Sequence, residues 1–230
     1  MRNTWIRRIS AIRKDGVESA INLTCGLNCI IGASNTGKTR IAKTVEFACG
    51  GKELPFTDKT AYEIAQVTFV TNGGEVSLSR SIHVQNTIHV KSSNPMIVPG
   101  SYSVSSRAGK SINTVLLALL GVESTRRIAT NETYHTVAFT WNAIRHLMIV
   151  PEDQIGRARP SILFPKSTSL ATLTQSLSSL LVLVQDEKID NSIQTESASE
   201  RHARRKAVEQ FIGAADIFLE IITQPFLGFD

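Results

Sequence analysis

Residues 27–49 read LNCIIGASNTGKTRIAKTVEFAC, and the reading of this stretch decides the fold. An apolar run at 27–31 leads into Gly32-Ala33-Ser34-Asn35-Thr36-Gly37-Lys38-Thr39, which satisfies GxxxxGK[ST], the phosphate-binding loop. The flanks suit it: a strand is expected before the loop, and residues 39–48 carry a helical pattern after it. Two glycines let the backbone wrap closely, so that successive N–H groups and the helix N-terminus face an anion. Lys38 brings a point charge toward the β- and γ-phosphates, and the Thr39 hydroxyl can ligate Mg²⁺. The expected nucleotide contacts are Gly32, Ser34, Asn35, Thr36, Gly37, Lys38, Thr39 and Arg40. A strand-to-helix turn that binds nothing would leave the Gly-Lys-Thr at the helix start without a reason.

Around this stretch the chain has the composition of a globular protein. Of 230 residues 42% are hydrophobic and 20% charged, enough to bury a core in one or two domains. No apolar run approaches the length of a membrane span, and Met1 is followed by Arg-rich, alternating sequence rather than a signal peptide. Cys25, Cys29 and Cys49 form no CxxC pair and read as reduced thiols, which makes a cytoplasmic location the expectation. The net charge of +5 is compatible with nucleic acid as a partner and equally with the phosphates of a nucleotide.

Working outward, residues 4–12 and 17–23 read as a strand and its return strand, joined at Asp15-Gly16. Gly26-Leu27-Asn28 then turns the chain into the run that feeds the loop. Arg13 and Lys14, at the hairpin tip, fit a solvated turn better than a nucleotide contact. After a stop at Gly50-Gly51, residues 64–71 and 75–84 predict antiparallel strands joined at Asn72-Gly73-Gly74, with a third at 87–91. His83 and His89 have no third ligand at metal spacing and read as solvated strand residues. Residues 92–106, rich in Ser, Pro and Gly, predict a loop, and residues 111–120 a helix ended by Gly121. Residues 123–136 carry no clear pattern. A strongly apolar stretch at 137–150 stops at Pro151. Residues 167–184 read as helix and 186–199 as a polar linker. Residues 200–223 predict a last helix with a basic cluster, Arg201, Arg204, Arg205 and Lys206, which packs on the domain or begins a coiled coil.

A phosphate loop about thirty residues in, behind a hairpin and behind Gly26-Leu27-Asn28-Cys29-Ile30-Ile31-Gly32, resembles the SMC, RecF and SbcC-type ATPases. Their N-terminal segment reads roughly G-x-N-x-I-x-G-x-N-x-x-G-K-[ST]. Residues 138–155 are similar to the segment around the Q-loop in that family, and residues 177–187 (LSSLLVLVQDE) look like its following helix and acidic end. The resemblance covers residues 1–190 and is specific at the loop. It implies an α/β P-loop NTPase of the ABC-ATPase-head type: an N-terminal lobe (1–190) with an antiparallel meander beside the P-loop sheet, then a linker and C-terminal helix (191–230). By the resemblance Gln154 is the Q-loop residue that senses Mg²⁺ and the γ-phosphate, with Glu152 and Asp153 as rivals; a solvated turn after Pro151 is the alternative. The family usually has Gly where Asn35 stands, and Asn tolerates the left-handed conformation required there. No LSGGQ-like signature is present. Residues 180–184 with Asp186-Glu187 approximate a Walker B strand, but the interposed Gln185 and the helical look of the preceding residues favour a helix with a polar turn.

The resemblance therefore implies an ATP- and Mg²⁺-binding lobe that hydrolyses only when a signature and Walker B lobe, or a partner chain, completes it. The partners expected are ATP, a second head in a homo- or heterodimer, other subunits and DNA, with work in repair, chromosome maintenance or anti-phage defence, and no membrane. The Arg201–Lys206 cluster, the N-terminal arginines and Lys110 are the DNA candidates. Two further readings stand beside it. One is an assembly module that binds ATP without turnover. The other is a self-contained P-loop kinase, which needs Asp186-Glu187 as its acidic site and a lid within residues 92–110.

Overall fold

The computed structural model describes residues 4–57, 60–105, 108–122, 126–129, 136–150, 170–183, 202–210 and 212. The chain divides into two units, Met1–Asp186 and Glu187–Asp230. In the second, residues 202–210 are helical.

The first unit is a mixed α/β structure. Its elements, in chain order, are β1 (Trp5–Arg13), β2 (Glu18–Asn22), α1 (Lys38–Ala48), β3 (Tyr62–Thr71), β4 (Gly74–Ser81), β5 (Thr87–Ser92), β6 (Gly100–Ser103), α2 (Ile112–Leu120), β7 (Arg127–Ala129), β8 (Thr136–Ala138), α3 (Trp141–Met148) and α4 (Leu170–Leu183). Six strands form one sheet in the order β2-β1-β3-β4-β5-β6, every neighbouring pair antiparallel. β7 and β8 pair separately.

The period-two pattern of the strands sets the sheet's buried face. Ala65 and Val67 on β3, Val76 and Leu78 on β4, and Ile88 and Val90 on β5 are buried, while the residues between them are not. Register aligns these residues in rows: Ile9 and Leu78 lie opposite Val67, and Leu78 opposite Val90. α1 lies on this face, its Ala48 packed with Ile9 and Val67, its Phe47 with Phe56, Ala65 and Ile82. α2 covers the other half through Ile112, Val115, Leu116 and Leu119, packed with Val76, Leu78, Ile88 and Val90. The helix is well bounded. Ser111 Oγ accepts from the Asn113 N–H at its start, and Gly121, at φ 75°, ends it in the left-handed conformation that glycine adopts without strain. α3 joins through the Asn113 side chain, whose oxygen accepts from the Trp141 N–H, and through Phe139, Ala143 and Ile144 beneath Leu117. His146 Nε2 lies 3.1 Å from Ser176 Oγ and ties α3 to α4.

The hairpin, the meander and the helices expected at 39–48, 111–120 and 167–184 are present, each within a few residues of its expected bounds. Two expectations need correction. The run at 27–31 is not a sheet strand: it is unpaired, with Leu27 and Ile31 each 93% exposed. No neighbouring strand lies beside it among the described residues, so its apolar character finds nothing to pack on. The loop expected at 92–106 contains β6, a short edge strand paired with β5 and bridged at Ser103 to Ser111. The unassigned region at 123–136 contributes to the β7–β8 pair, which packs Ile128 against Phe139 and Ile144. Residues 180–183 belong to α4, so the Walker B approximation there has no strand to stand on.

Among the described residues no helix is long and apolar enough to cross a membrane. Because Leu78 is fully buried at the centre of the sheet, Leu78→Ala should lower stability by about 3 kcal/mol in urea unfolding. A loss below about 1 kcal/mol would show that this row is not the core.

Candidate phosphate-binding site

The site is built from the end of β2 onward. After Asn22 the chain enters a tight turn organised by one side chain. Asn28 Oδ1 accepts from the Thr24 N–H (3.0 Å) and the Thr24 hydroxyl (3.2 Å), while its Nδ2 donates to the carbonyls of Thr24 (2.8 Å) and Gly26 (3.0 Å). An amide that uses both ends in this way fixes the turn without help from a sheet. The sequence marked Asn28 as part of a turn but did not show its clasp.

Beyond the exposed run, the loop closes on itself. Lys38 Nζ donates to the carbonyls of Gly32 (2.8 Å) and Ala33 (2.5 Å) and lies 3.4 Å from Thr36 Oγ1, which in turn donates to Ala33 O (2.8 Å). An ammonium has three donors, and two carbonyls take the best-placed pair. The third faces the Thr36 hydroxyl at 3.4 Å, the longest of the three contacts. Gly32 is required for this closure: a Cβ there would stand 2.9 Å from Thr36 Oγ1. Asn35 sits at φ 61°, the left-handed conformation expected of it, and Gly37 at φ 91° makes the turn into α1.

Gly37 caps α1 without a side chain, and no acidic residue occupies the helix's first turn. The partial positive charge of the helix N-terminus is therefore neither neutralised nor covered. Lys38, Thr39 and Arg40 fall in this turn and are exposed, as are Ser34, Asn35 and Thr36. The structure thus brings all the expected loop residues together at one open helix end. Thr39 offers a hydroxyl there, which suits a Mg²⁺ ion that takes its other ligands from phosphates and water. Among the described residues no three His, Cys, Asp or Glu side chains are grouped to hold a metal by themselves.

Gln154, Glu152 and Asp153 lie outside the described residues, as do Asp186, Glu187 and Arg201. Arg13 pairs with Asp15 across the hairpin tip at 3.2 Å, both exposed, as a solvated turn would have it. His83 lies 3.7 Å from Glu63, and His89 Nδ1 is 3.0 Å from Ser101 Oγ; both are exposed, but only His89 is the strand residue expected, since β4 ends at Ser81 and His83 sits in the turn after it. Lys110 stands over the Tyr102 ring at 4.7 Å.

The middle and last turn of α1 hold contacts that sequence reading missed. Arg145 on α3 pairs with Glu46 at 3.2 Å, and Lys43 with Glu53 at 2.9 Å. Cys49 is buried, and burial, reinforced by the nearby Glu46 carboxylate, pushes its thiol up to about 12. Cys25 and Cys29 are exposed.

No protein-family model matches this chain, and no curated protein matches it.

Alkylation with iodoacetamide at neutral pH should label Cys25 and Cys29 in the native protein and Cys49 only after unfolding, as read by mass spectrometry. Protection of Cys29 would show that the apolar run is covered in solution.

Proposed function

We propose that this chain is the ATP-binding N-terminal lobe of an SMC/RecF-like ATPase, of the ABC-head type, which turns over only when a second lobe or partner chain completes its site. The observation that carries the reading is the closed loop: a GxxxxGKT sequence drawn shut by Lys38 at the bare N-terminus of α1. A triphosphate brings three anionic groups to such an end. The loop amides and the α1 N-terminus would hold them, Lys38 would donate its remaining N–H to a non-bridging oxygen, and Thr39 would hold Mg²⁺. Mg²⁺, when bound, would neutralise phosphate charge. Gln154 is the proposed sensor of that ion and of the γ-phosphate. Catalysis in such a site is positioning plus electrostatic stabilisation, and this chain's part in it is the positioning.

Two further observations support a lobe that is completed from elsewhere. The run at 27–31 enters the loop with its apolar side chains exposed, and residues 180–183 are helical where a Walker B strand would be needed. In the completed protein the second head and its subunits would act on DNA, the part of the proposal that rests on family analogy alone. A flat dependence of DNA affinity on salt would remove it.

The test is Mg-ATP binding and turnover by the 230-residue chain beside Lys38→Ala. Wild type should bind with negligible hydrolysis, and loss of one charge-assisted contact of about 2 kcal/mol should weaken binding about thirtyfold. Steady turnover by the chain alone would replace this reading with a self-contained P-loop kinase. Binding that stays without turnover when partner chains are supplied would favour the assembly module. Absence of binding by wild type would end the nucleotide reading.

A further inference from the structure

β4 places Val76, Leu78 and Arg80 in one buried row, so a guanidinium occupies a position the pattern reserves for an apolar side chain. Arg80 is only 4% exposed. The strand register makes room for it: Arg80 lies opposite Ala65, and Ala65 opposite Ala11, two small residues in the row that faces the end of α1. Its Nη1 donates to the carbonyls of Phe47 (2.6 Å) and Gly51 (2.7 Å), and its Nε and Nη2 donate to the Gln85 carbonyl (2.8 and 2.6 Å). Its Cζ stands 4.0 Å from the centre of the Phe47 ring. Every one of these acceptors is a neutral backbone carbonyl. Burial lowers the guanidinium only to about 10, so it stays charged at neutral pH.

A buried cation of this kind is costly unless its charge is met, and here the carbonyl end of α1 helps to meet it. An apolar side chain would fill the same space without that cost. What it could not do is hold three carbonyls from two separate segments at fixed distances. Phe47 belongs to α1, Gly51 to the exit from the helix and Gln85 to the β4–β5 turn. The exit is itself tightly set, since a Cβ on Gly51 would stand 2.7 Å from the Glu46 carbonyl. α1 has 11 residues and is therefore about 16 Å long, with the phosphate loop at its other end.

We propose that Arg80 is a positioning residue for the phosphate loop. By clamping the carbonyl end of α1 to the meander it fixes where along the sheet the opposite, anion-facing end is presented. The inference rests on the nucleotide reading of the loop and goes beyond it by assigning a far-side residue to phosphate affinity.

The experiment titrates wild type, Lys38→Ala, Arg80→Met, Arg80→Lys and Gly51→Ala with Mg-ATP and with inorganic tripolyphosphate, well below each protein's melting transition. Arg80→Met should weaken both ligands about tenfold, as misplacement of a binding group does. Arg80→Lys should fall between it and wild type, because one ammonium cannot span all three carbonyls. Gly51→Ala, which moves an acceptor and leaves the cation in place, should change affinity in the same direction, so the idea does not hang on one variant that could fail to fold. A folded Arg80→Met that binds within about twofold of wild type overturns the inference, however far its Tm falls, and leaves Arg80 a packing residue. Binding lost in Lys38→Ala but kept in Arg80→Met and Gly51→Ala sinks this inference alone. Wild type that binds neither ligand sinks the loop reading as well.

Discussion

The seating of α1 on the antiparallel sheet is the interaction on which the remainder depends, because that helix belongs to two environments at once. Its last turn is part of the core, with Phe47 and Ala48 fully buried against β1, β3 and β4. Burying a Phe side chain contributes roughly 1.5–3 kcal/mol, so this end is held firmly. Its first turn stands in solvent and carries the loop. The loop gains little from the core: residues 27–36 are exposed, and Lys38 and the Thr36 hydroxyl are the ties that draw it shut. A flexible segment is thus ordered from within and aimed from behind. Its internal contacts set the shape of the cradle, while the seat of the helix sets its place.

The ion pairs that α1 makes leave from its middle and last turn and not from the loop. Glu46–Arg145 and Lys43–Glu53 are partly exposed pairs, each of the kind that contributes at most about 1 kcal/mol. Arg80 differs from both, since its partners are backbone carbonyls, of which Phe47 O also accepts from the Gly50 N–H. Removing it would take a charge-assisted hydrogen bond from each of them, a loss of about 1.5–3 kcal/mol apiece. An acidic partner anywhere along the first turn would have competed with an anion for the same field, and the helix has none there.

How much of this could be read from the residues alone depended on whether the deciding contact was local. Gly37, Lys38 and the left-handed Asn35 obey rules confined to a few residues, and the strands at β1 through β5 announce themselves by alternation. β6 did not, because Gly-Ser-Tyr-Ser at a sheet edge has the composition of a loop, and only its pairing with Thr87–Ser92 makes it a strand. Arg80 was hidden for the opposite reason. The alternation Val-Ser-Leu-Ser-Arg puts it on the buried face, but nothing in the sequence says that three carbonyls from distant segments wait there. Asn28 was half legible: the turn was expected, the fourfold use of its amide was not. Gln154 lies outside the described residues.

The run at 27–31 is where local and global signals part. Its apolar density is that of a strand covered on both faces, as in a parallel sheet. The preceding strand, β2, ends at Asn22, and the Asn28 clasp on Thr24 and Gly26 holds a turn where the run starts. Leu27 and Ile31 then stand in water, and covering both would contribute about 3–6 kcal/mol. That is as large as a sizeable share of a domain's whole stability. On the proposed function, this exposure directly before the loop is where strands from another polypeptide or lobe would pack. The same cover would exclude water from the loop, strengthening every electrostatic contact Lys38 makes there. On the proposed function, then, burial of the run and activation of the loop are one event: the partner that removes the apolar surface from water also lowers the dielectric in which the phosphates are held.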